Sequence, residues 1–338
     1  MLRPLAAVSI ATSALCACQT TVRMPGQAHQ GPLPASTADE LRLAGALRND
    51  VRALAADIGE RNSAHPAKLE RARAYVAHRL EAAVRPVDRH RFTADGASFE
   101  NLTVIVPSAV SAATDDRVLL VGAHYDSAPG TPGANDNGTG VAALLALADR
   151  FARVPAQRTI WFVAFTNEEP PYFGEAGMGS RKYVVERGAS LTKVGAMISL
   201  ETMGYYSEAE GSQQYPWPLG WFYPSRGNFV GIAGNHESRE LIRQLVGDFR
   251  STTPFPMEGA ALSRSREPIG WSDHSPFWDL RIPAVMVTDT APFRYPHYHR
   301  PSDTVDKVDF DRLARVVLGL ERALRLLAGR ATLPPWSD

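Results

Sequence analysis

The chain has almost no cysteine: two in 338 residues, Cys16 and Cys18, both near the amino terminus. Whatever domain follows them has no disulfide and no thiol nucleophile. Catalysis there must use oxygen and nitrogen side chains, or a metal held by them. Net charge is lacking too, since 36 Lys and Arg balance 36 Asp and Glu. That balance argues against nucleic acid as a partner, which calls for a basic excess. No internal apolar run approaches the ~20 residues that cross a bilayer. What is present is a globular composition, 44% hydrophobic and 21% charged, which argues against wholesale disorder. A chain of this length can bury a full core unaided, as one large domain or two small ones.

The amino terminus reads as an address. Residues 1–18 (MLRPLAAVSIATSALCAC) place Arg3 before an apolar stretch from Leu5 to Leu15 and end in small residues. That is the pattern of an export signal rather than a membrane helix. Leu15-Cys16-Ala17-Cys18 also resembles a bacterial lipobox, in which Cys18 would carry lipid. The alternative is an ordinary signal with two incidental cysteines. Residues 19–37 are polar and rich in Pro, Gly and Ala, and read as a flexible tether. The expected location is the periplasm or the outer membrane, or outside the cell, with Cys18 as the sole membrane contact. The folded domain is expected over 38–338.

Within that domain no repeat is found. Leu41–Ile58 and Leu69–Val84 carry apolar residues at helical spacing. From about residue 100, apolar runs at Leu102–Val106, Val118–Gly122, Thr159–Phe165, Val194–Leu200 and Ala284–Thr288 alternate with helix-like segments. Those segments are Gly140–Phe151, Gly179–Arg187 and Ser238–Phe249, and a last one spans Phe310–Leu327. Strands apolar on both faces, alternating with helices, predict an α/β fold: a mostly parallel central sheet with helices on both faces, in a single catalytic domain. Two stretches break the alternation. Residues 202–227 hold Tyr205, Tyr206, Tyr215, Trp217, Trp221, Phe222 and Tyr223, and residues 251–272 are irregular. Each reads either as a functional loop or as a cover that only packs.

Residues with chemistry gather at the carboxyl ends of the expected strands. His124-Tyr125-Asp126 follows one strand, Glu168-Glu169 the next, Glu201 ends a third, and His297-Tyr298-His299 follows the last. Carboxyl ends in a parallel sheet share one edge, where open α/β folds place ligands. Between them, Gly133 to Gly140 (GANDNGTG) forms a turn that presents Asp136. So many carboxylates at one edge cost several kcal/mol without a cation. Imidazole and carboxylate without thiolate suit catalytic zinc, although Mn or Co can substitute. An Asp between two His-bearing loops can bridge two metals that share one water. Asp126, two residues from His124, is better placed to orient an imidazole than to bind. Of Glu168 and Glu169, one can bind metal while the other faces substrate as a base; a helix amino-terminal acid pair is the bland alternative.

HYDS at 124–127, GANDNGTG at 133–140, NEE at 167–169, SLETMGYY at 199–206 and YHRPSDT at 298–304 together resemble the two-metal zinc aminopeptidases. That family includes secreted bacterial leucyl aminopeptidases and is related to glutaminyl cyclases. The motifs stand in the family's order, and the resemblance spans roughly 98–325. It implies that His124 and Glu201 hold one zinc, Glu169 and His299 the second, and Asp136 bridges both. It implies Glu168 as general base and Asp126 as the residue that orients His124. His297 lacks a matching position. Glu201 stands where the family often has Asp, and Arg300 follows His299 where Thr is common. The implied function is hydrolysis of amino-terminal peptide bonds with two zinc ions per chain, on peptides with a free amino terminus. The aromatics of 202–227 would favour an apolar first residue. Trp271 to Phe277 (WSDHSPF) and the following RIPAV also resemble the glutaminyl cyclases, which use one zinc. That activity is one alternative, and a non-catalytic binding protein on the same scaffold is another.

Overall fold

A computed structural model describes residues 23–110, 115–266 and 268–337. Its centre is one sheet of eight strands: β1 (Asp88–Ala94), β2 (Ala97–Val106), β3 (Val118–His124), β4 (Ile160–Phe165), β5 (Val194–Glu201), β6 (Val230–Asn235), β7 (Met257–Leu262) and β8 (Ala284–Thr288). They lie in the order β1-β2-β4-β3-β5-β8-β6-β7. The four central strands, β4, β3, β5 and β8, run parallel. The two flanks join antiparallel, β2 to β4 and β6 to β8, while β7 runs parallel to β6. The central strands are buried along almost their whole length. That is why their sequences read as continuous apolar runs rather than as alternation.

Among the described residues, the longer helices are α1 (Ala38–Arg52), α2 (Pro66–Ala83), α3 (Gly140–Arg153), α4 (Gly179–Leu191), α5 (Arg239–Thr252) and α6 (Phe310–Ala328). Thr37 caps α1 by accepting from the Glu40 amide, and the Glu40 carboxylate accepts from the Thr37 amide in return. The helix expected to reach Ile58 ends at Arg52 and continues as a looser helical turn, Ala53–Ile58. Helix α3 is buried from Gly140 to Ala148, so its small residues sit deep between sheet and outer helices. No described helix is long and apolar enough to cross a membrane.

The two faces of the sheet are covered unequally. One face joins α1, α2, α3, α5 and α6 in a single large cluster that includes Leu47, Val76, Leu144, Leu245 and Leu320. The other face carries a smaller cluster in which Tyr183, Val184 and Leu191 of α4 meet Phe277 and Trp278 of the turn Ser275–Leu280. The β6–β7 end of that second face is left to the irregular segments.

The expected architecture holds, with differences at the flanks. Residues 251–272, expected to be irregular, contain strand β7. Strands β1 and β6 also lie where no apolar run stands out. Residues 202–227 form no strand, and a single turn, Leu219–Trp221, is their only helical part. Residues 23–37, read as a tether, form no helix or strand. They nevertheless lie against the domain: Met24 and Leu33 pack on its core. Arg250 donates to the carbonyls of Pro25 and Gly26 at 3.2 and 3.3 Å, and Arg315 to that of Pro34 at 2.7 Å. The export signal, Cys16 and Cys18 fall outside the described residues.

Candidate functional site

The parallel strands bring the distant side chains to one edge. His124 is the last residue of β3 and Glu201 the last of β5; Asn167-Glu168-Glu169 follows β4, and His299 lies on the loop beyond β8. His124, Asp136, Glu168, Glu169 and Glu201 are all buried, and His299 stands at the opening with 36% of its side chain exposed. His124 Nε2 lies 3.2 Å from Glu201 Oε2, 3.5 Å from Asp136 Oδ1 and 3.7 Å from Glu168 Oε2. His299 Nε2 lies 3.0 Å from Asp136 Oδ2 and 3.3 Å from Glu169 Oε2. The two oxygens of Asp136 are thus divided between the two imidazoles. His297 stays outside, bonded to Ser302 at 2.8 Å on the surface.

Polar bonds fix each loop. Asp126 Oδ1 and Oδ2 accept from the amides of Glu168 and Glu169 at 3.2 and 3.1 Å, while Asp126 Oδ1 lies 3.5 Å from His124 Nδ1. One carboxylate therefore holds the acid pair beyond β4 and faces the imidazole on β3. Asn135 Oδ1 accepts from the Gly204 amide, and Asn137 Oδ1 accepts from the Thr202 amide, so the two amides flanking Asp136 dock its turn on the end of β5. Gly133 sits at φ 64, where a Cβ would meet Asp136 O at 2.5 Å and Ser127 Cβ at 2.6 Å. Only glycine fits both the conformation and the space. Asn167, Thr202 and His299 hold positive φ of 57, 40 and 53, each at or beside a member of the cluster. Non-glycine residues there cost about 1–3 kcal/mol each and persist only where the surroundings impose them.

Four residues of this network were not singled out in the sequence. Arg61 is fully buried and donates to the carbonyls of Tyr125, Pro132 and Gly133 at 2.8, 2.6 and 2.9 Å. It ties the His124 loop to the Asp136 turn, and it comes from the segment between α1 and α2. Burial pulls its pKa down to about 10, against the opposing pull of Asp126, Asp303, Asp136 and Glu169. Asp303 accepts from the amides of Asn135 and Asp136 and from the Tyr295 hydroxyl. Ser272 donates to Glu201 at 2.8 Å. Asp273 is wholly buried with both oxygens unbonded. Asp303, Ser272 and Asp273 lie within the motifs YHRPSDT and WSDHSPF, which gave them no individual role; Arg61 has no local signal and lies 64 residues from Tyr125.

The donor set fits a cation. Burial pushes Glu168 well above the usual carboxylate range, with Glu201, Glu169 and Asp273 adding to the effect against His124. Burial, reinforced by Asp136, pushes Glu169 to about 8. Burial would lower both imidazoles, but Glu201 and Glu168 raise His124 well above 6.5, and Asp136 and Glu169 raise His299 to about 10. The carboxylates thus draw in protons to offset their own repulsion, which is the work a divalent cation does better. Both ring nitrogens of His124 and Glu169 Oε1 are buried without a hydrogen-bond partner. Unpartnered buried donors and acceptors of this kind are costly unless something binds them. His124, Glu168 and Glu201 form one group with ligand spacing, and His124, Asp136 and Glu169 another.

Beside the cluster opens a cavity of about 320 Å³, which Glu201, Thr202 and Tyr298 share with the centre. Tyr215, Trp217, Phe222 and Tyr223 of the aromatic segment line it, so that segment forms a wall. Tyr298 stacks on His299 with ring centroids 3.9 Å apart.

The family model for peptidase family M28 matches residues 101–322. The chain is 34% identical to the uncharacterized protein YfbL of Escherichia coli, over 81% of this chain and 85% of that one. It is 28% identical to the probable lipoprotein aminopeptidase LpqL of Mycobacterium tuberculosis, over 69% of this chain and 46% of that protein. Among solved structures, BSAP, a zinc aminopeptidase from Bacillus subtilis, superposes with a TM-score of 0.64 at 16% identity, covering 87% of this chain and 95% of that one. That last likeness is one of fold.

Proposed function

The chain belongs to peptidase family M28, and from that premise we propose that it is a zinc aminopeptidase that uses two metal ions and removes residues from free amino termini. The observation that carries this reading is the divided carboxylate of Asp136, one oxygen toward His124 and one toward His299. His124, Asp136 and Glu201 would hold one zinc, and Asp136, Glu169 and His299 the other. When bound, the pair supplies Lewis acidity to the scissile carbonyl and makes water more acidic. Glu168 takes a proton from the attacking water at a carboxylate oxygen and returns it to the leaving amine. Asp126 keeps Glu168 in place through its backbone amide and sets the ring of His124. The cluster is rich in buried carboxylates, which favours a substrate that brings a free α-ammonium. The amino-terminal address and the lipoprotein relative support an exported protein held to the membrane by lipid on Cys18.

A peptide panel tests the activity: free, amino-blocked and carboxyl-blocked versions of one sequence, with and without chelator. Cleavage of the free and carboxyl-blocked peptides alone, abolished by chelator, is expected. Cleavage of the amino-blocked peptide would overturn aminopeptidase action. Cyclisation of an amino-terminal Gln peptide without hydrolysis would make the protein a glutaminyl cyclase. Two zinc ions per reconstituted chain are expected, against one if the bridging role of Asp136 is wrong. For the anchor, Cys18→Ala should release the protein from membranes; unchanged partitioning would remove the lipid.

A further inference from the structure

The cavity beside the centre has a floor that strand register defines. Glu201 pairs with Thr288, Thr288 with Gly231, and Gly231 with Glu258, so these four form one row across β5, β8, β6 and β7. The neighbouring row on the same face is Ser199, Met286, Ala233 and Ala260. At a strand spacing of ~4.8 Å, the row runs about 14 Å from the catalytic edge to the outer strand. Toward the outer strand the two rows carry only Gly231, Ala233 and Ala260 before Glu258, and these small side chains leave the cavity open above them. None of the longer described helices lines this end of the face, and the walls are apolar and mostly aromatic, with Tyr215, Trp217, Phe222, Ile269 and Trp271 among the lining residues. Glu258 lines the far part and keeps an ion pair with Arg250 at 2.8 Å.

We infer that this trough selects peptides whose first residue is a large aromatic, and that Gly231 and Ala260 determine that selection. The inference rests on the aminopeptidase reading, because Glu201 ends one side of the trough and belongs to the centre. An alanyl side chain leaves most of the floor to water. A leucyl side chain fills the inner part. A phenyl or indole ring spreads over the glycine and alanines and meets the aromatic walls, burying far more apolar surface. A cavity of about 320 Å³ is within the range that takes a group the size of a whole small ligand. The floor tolerates a test residue: a Cβ at Gly231 would meet Thr288 O and Thr290 Cγ2 at 3.4 Å each.

The experiment compares Phe, Trp, Leu and Ala anilides on the zinc-loaded full chain, and in parallel the binding of phenylalaninamide and alaninamide by calorimetry. The wild type should favour the aromatic substrates over Ala by at least ~10-fold in kcat/KM, with Leu between. Gly231→Leu should lower the Phe-to-Ala ratio at least ~10-fold by filling the floor, and Ala260→Phe, on the outer strand, should lower it in the same direction. Melting curves and circular dichroism check that each variant is folded. Equal or higher kcat/KM for Ala or Leu would overturn the inference, as would folded variants whose ratio is unchanged. If no anilide is cleaved, the aminopeptidase reading fails and binding decides the trough. Tighter binding of phenylalaninamide that Gly231→Leu removes sustains it, and equal affinities end it.

Discussion

The centre and the trough share Glu201 and Tyr298 but are built by opposite means. The centre is dense in charge and locked: Asp126, Asn135, Asn137, Asp303 and Arg61 each hold backbone groups of a different loop, at distances between 2.6 and 3.2 Å. The trough is apolar, made by what its floor lacks, and its walls end in exposed rings such as Trp217 and Phe222, 75% and 52% accessible. The contrast has a physical reason. Charges must sit within a fraction of an ångström to act together, so every loop that carries one is tied down. Apolar contact is non-directional and scales with area, so a wall can select by shape without such ties. Substitutions in the centre should therefore change rate and metal binding by orders of magnitude, and substitutions in the trough should change preference.

The sharpest break in that contrast is Glu168→Gln. If Glu168 only filled space, the amide would serve equally well. As the base it should cost at least ~100-fold in kcat while zinc content stays at the wild-type level. Anilide hydrolysis and metal analysis on one preparation decide it, and near-wild-type turnover would remove Glu168 from the role. Next in size is Asp126→Asn. The amide can accept one of the bonds that the carboxylate takes from Glu168 and Glu169, but its nitrogen opposes the second donor. A loss of about 10–100-fold in zinc affinity or activity is expected, read by chelator competition and by kcat/KM.

These two residues were legible in the sequence, and the trough was not, for one physical reason. The central strands are buried on both faces and read as apolar runs, so their ends, and the polar residues on them, stand out. HYDS and NEE lie at such ends, and GANDNGTG forms the turn between β3 and α3. Strand β7 (MEGAAL) and strand β6 (VGIAGN) are rich in glycine and alanine. Their small residues give no apolar run, so β7 reads as part of an irregular stretch and β6 does not stand out. The same small residues leave the trough open. What hides these strands in the sequence is what makes the cavity in the fold. The aromatic wall was visible as composition, seven rings in 202–227, but its placement beside Glu201 depends on the order of strands across the sheet. Arg61 was invisible because its three acceptors are backbone carbonyls, and a carbonyl has no residue identity.

Arg61 tests whether the amino-terminal helices belong to the site or merely cover it. Arg61→Met leaves three carbonyls of the His124 loop and the Asp136 turn without their donor. Each buried carbonyl left unpaired costs about 1–3 kcal/mol, so a large drop in melting temperature and a weaker hold on zinc should come together. Arg61→Lys keeps the charge but cannot reach three carbonyls with the planar fork of a guanidinium. If bonding is what matters, Lys should resemble Met in zinc affinity; if charge is what matters, Lys should restore it. Chelator competition on the three proteins separates the two.

The smallest effect on stability belongs to Trp217→Ala, and that is its use. The ring is 75% exposed and makes an edge-on approach to Trp221 at 5.9 Å. Removing an exposed side chain of this kind changes stability by no more than about 0.5 kcal/mol, so the melting temperature should barely move. The effect should fall on aromatic substrates through KM, because the wall contributes contact in the bound state as much as in the transition state. Zinc content should be unaffected, since no bond among the described residues links Trp217 to the loops of the centre. A fall in kcat with unchanged KM would mean that the wall reaches into the chemistry, and the division between a locked centre and a selecting trough would have to be redrawn.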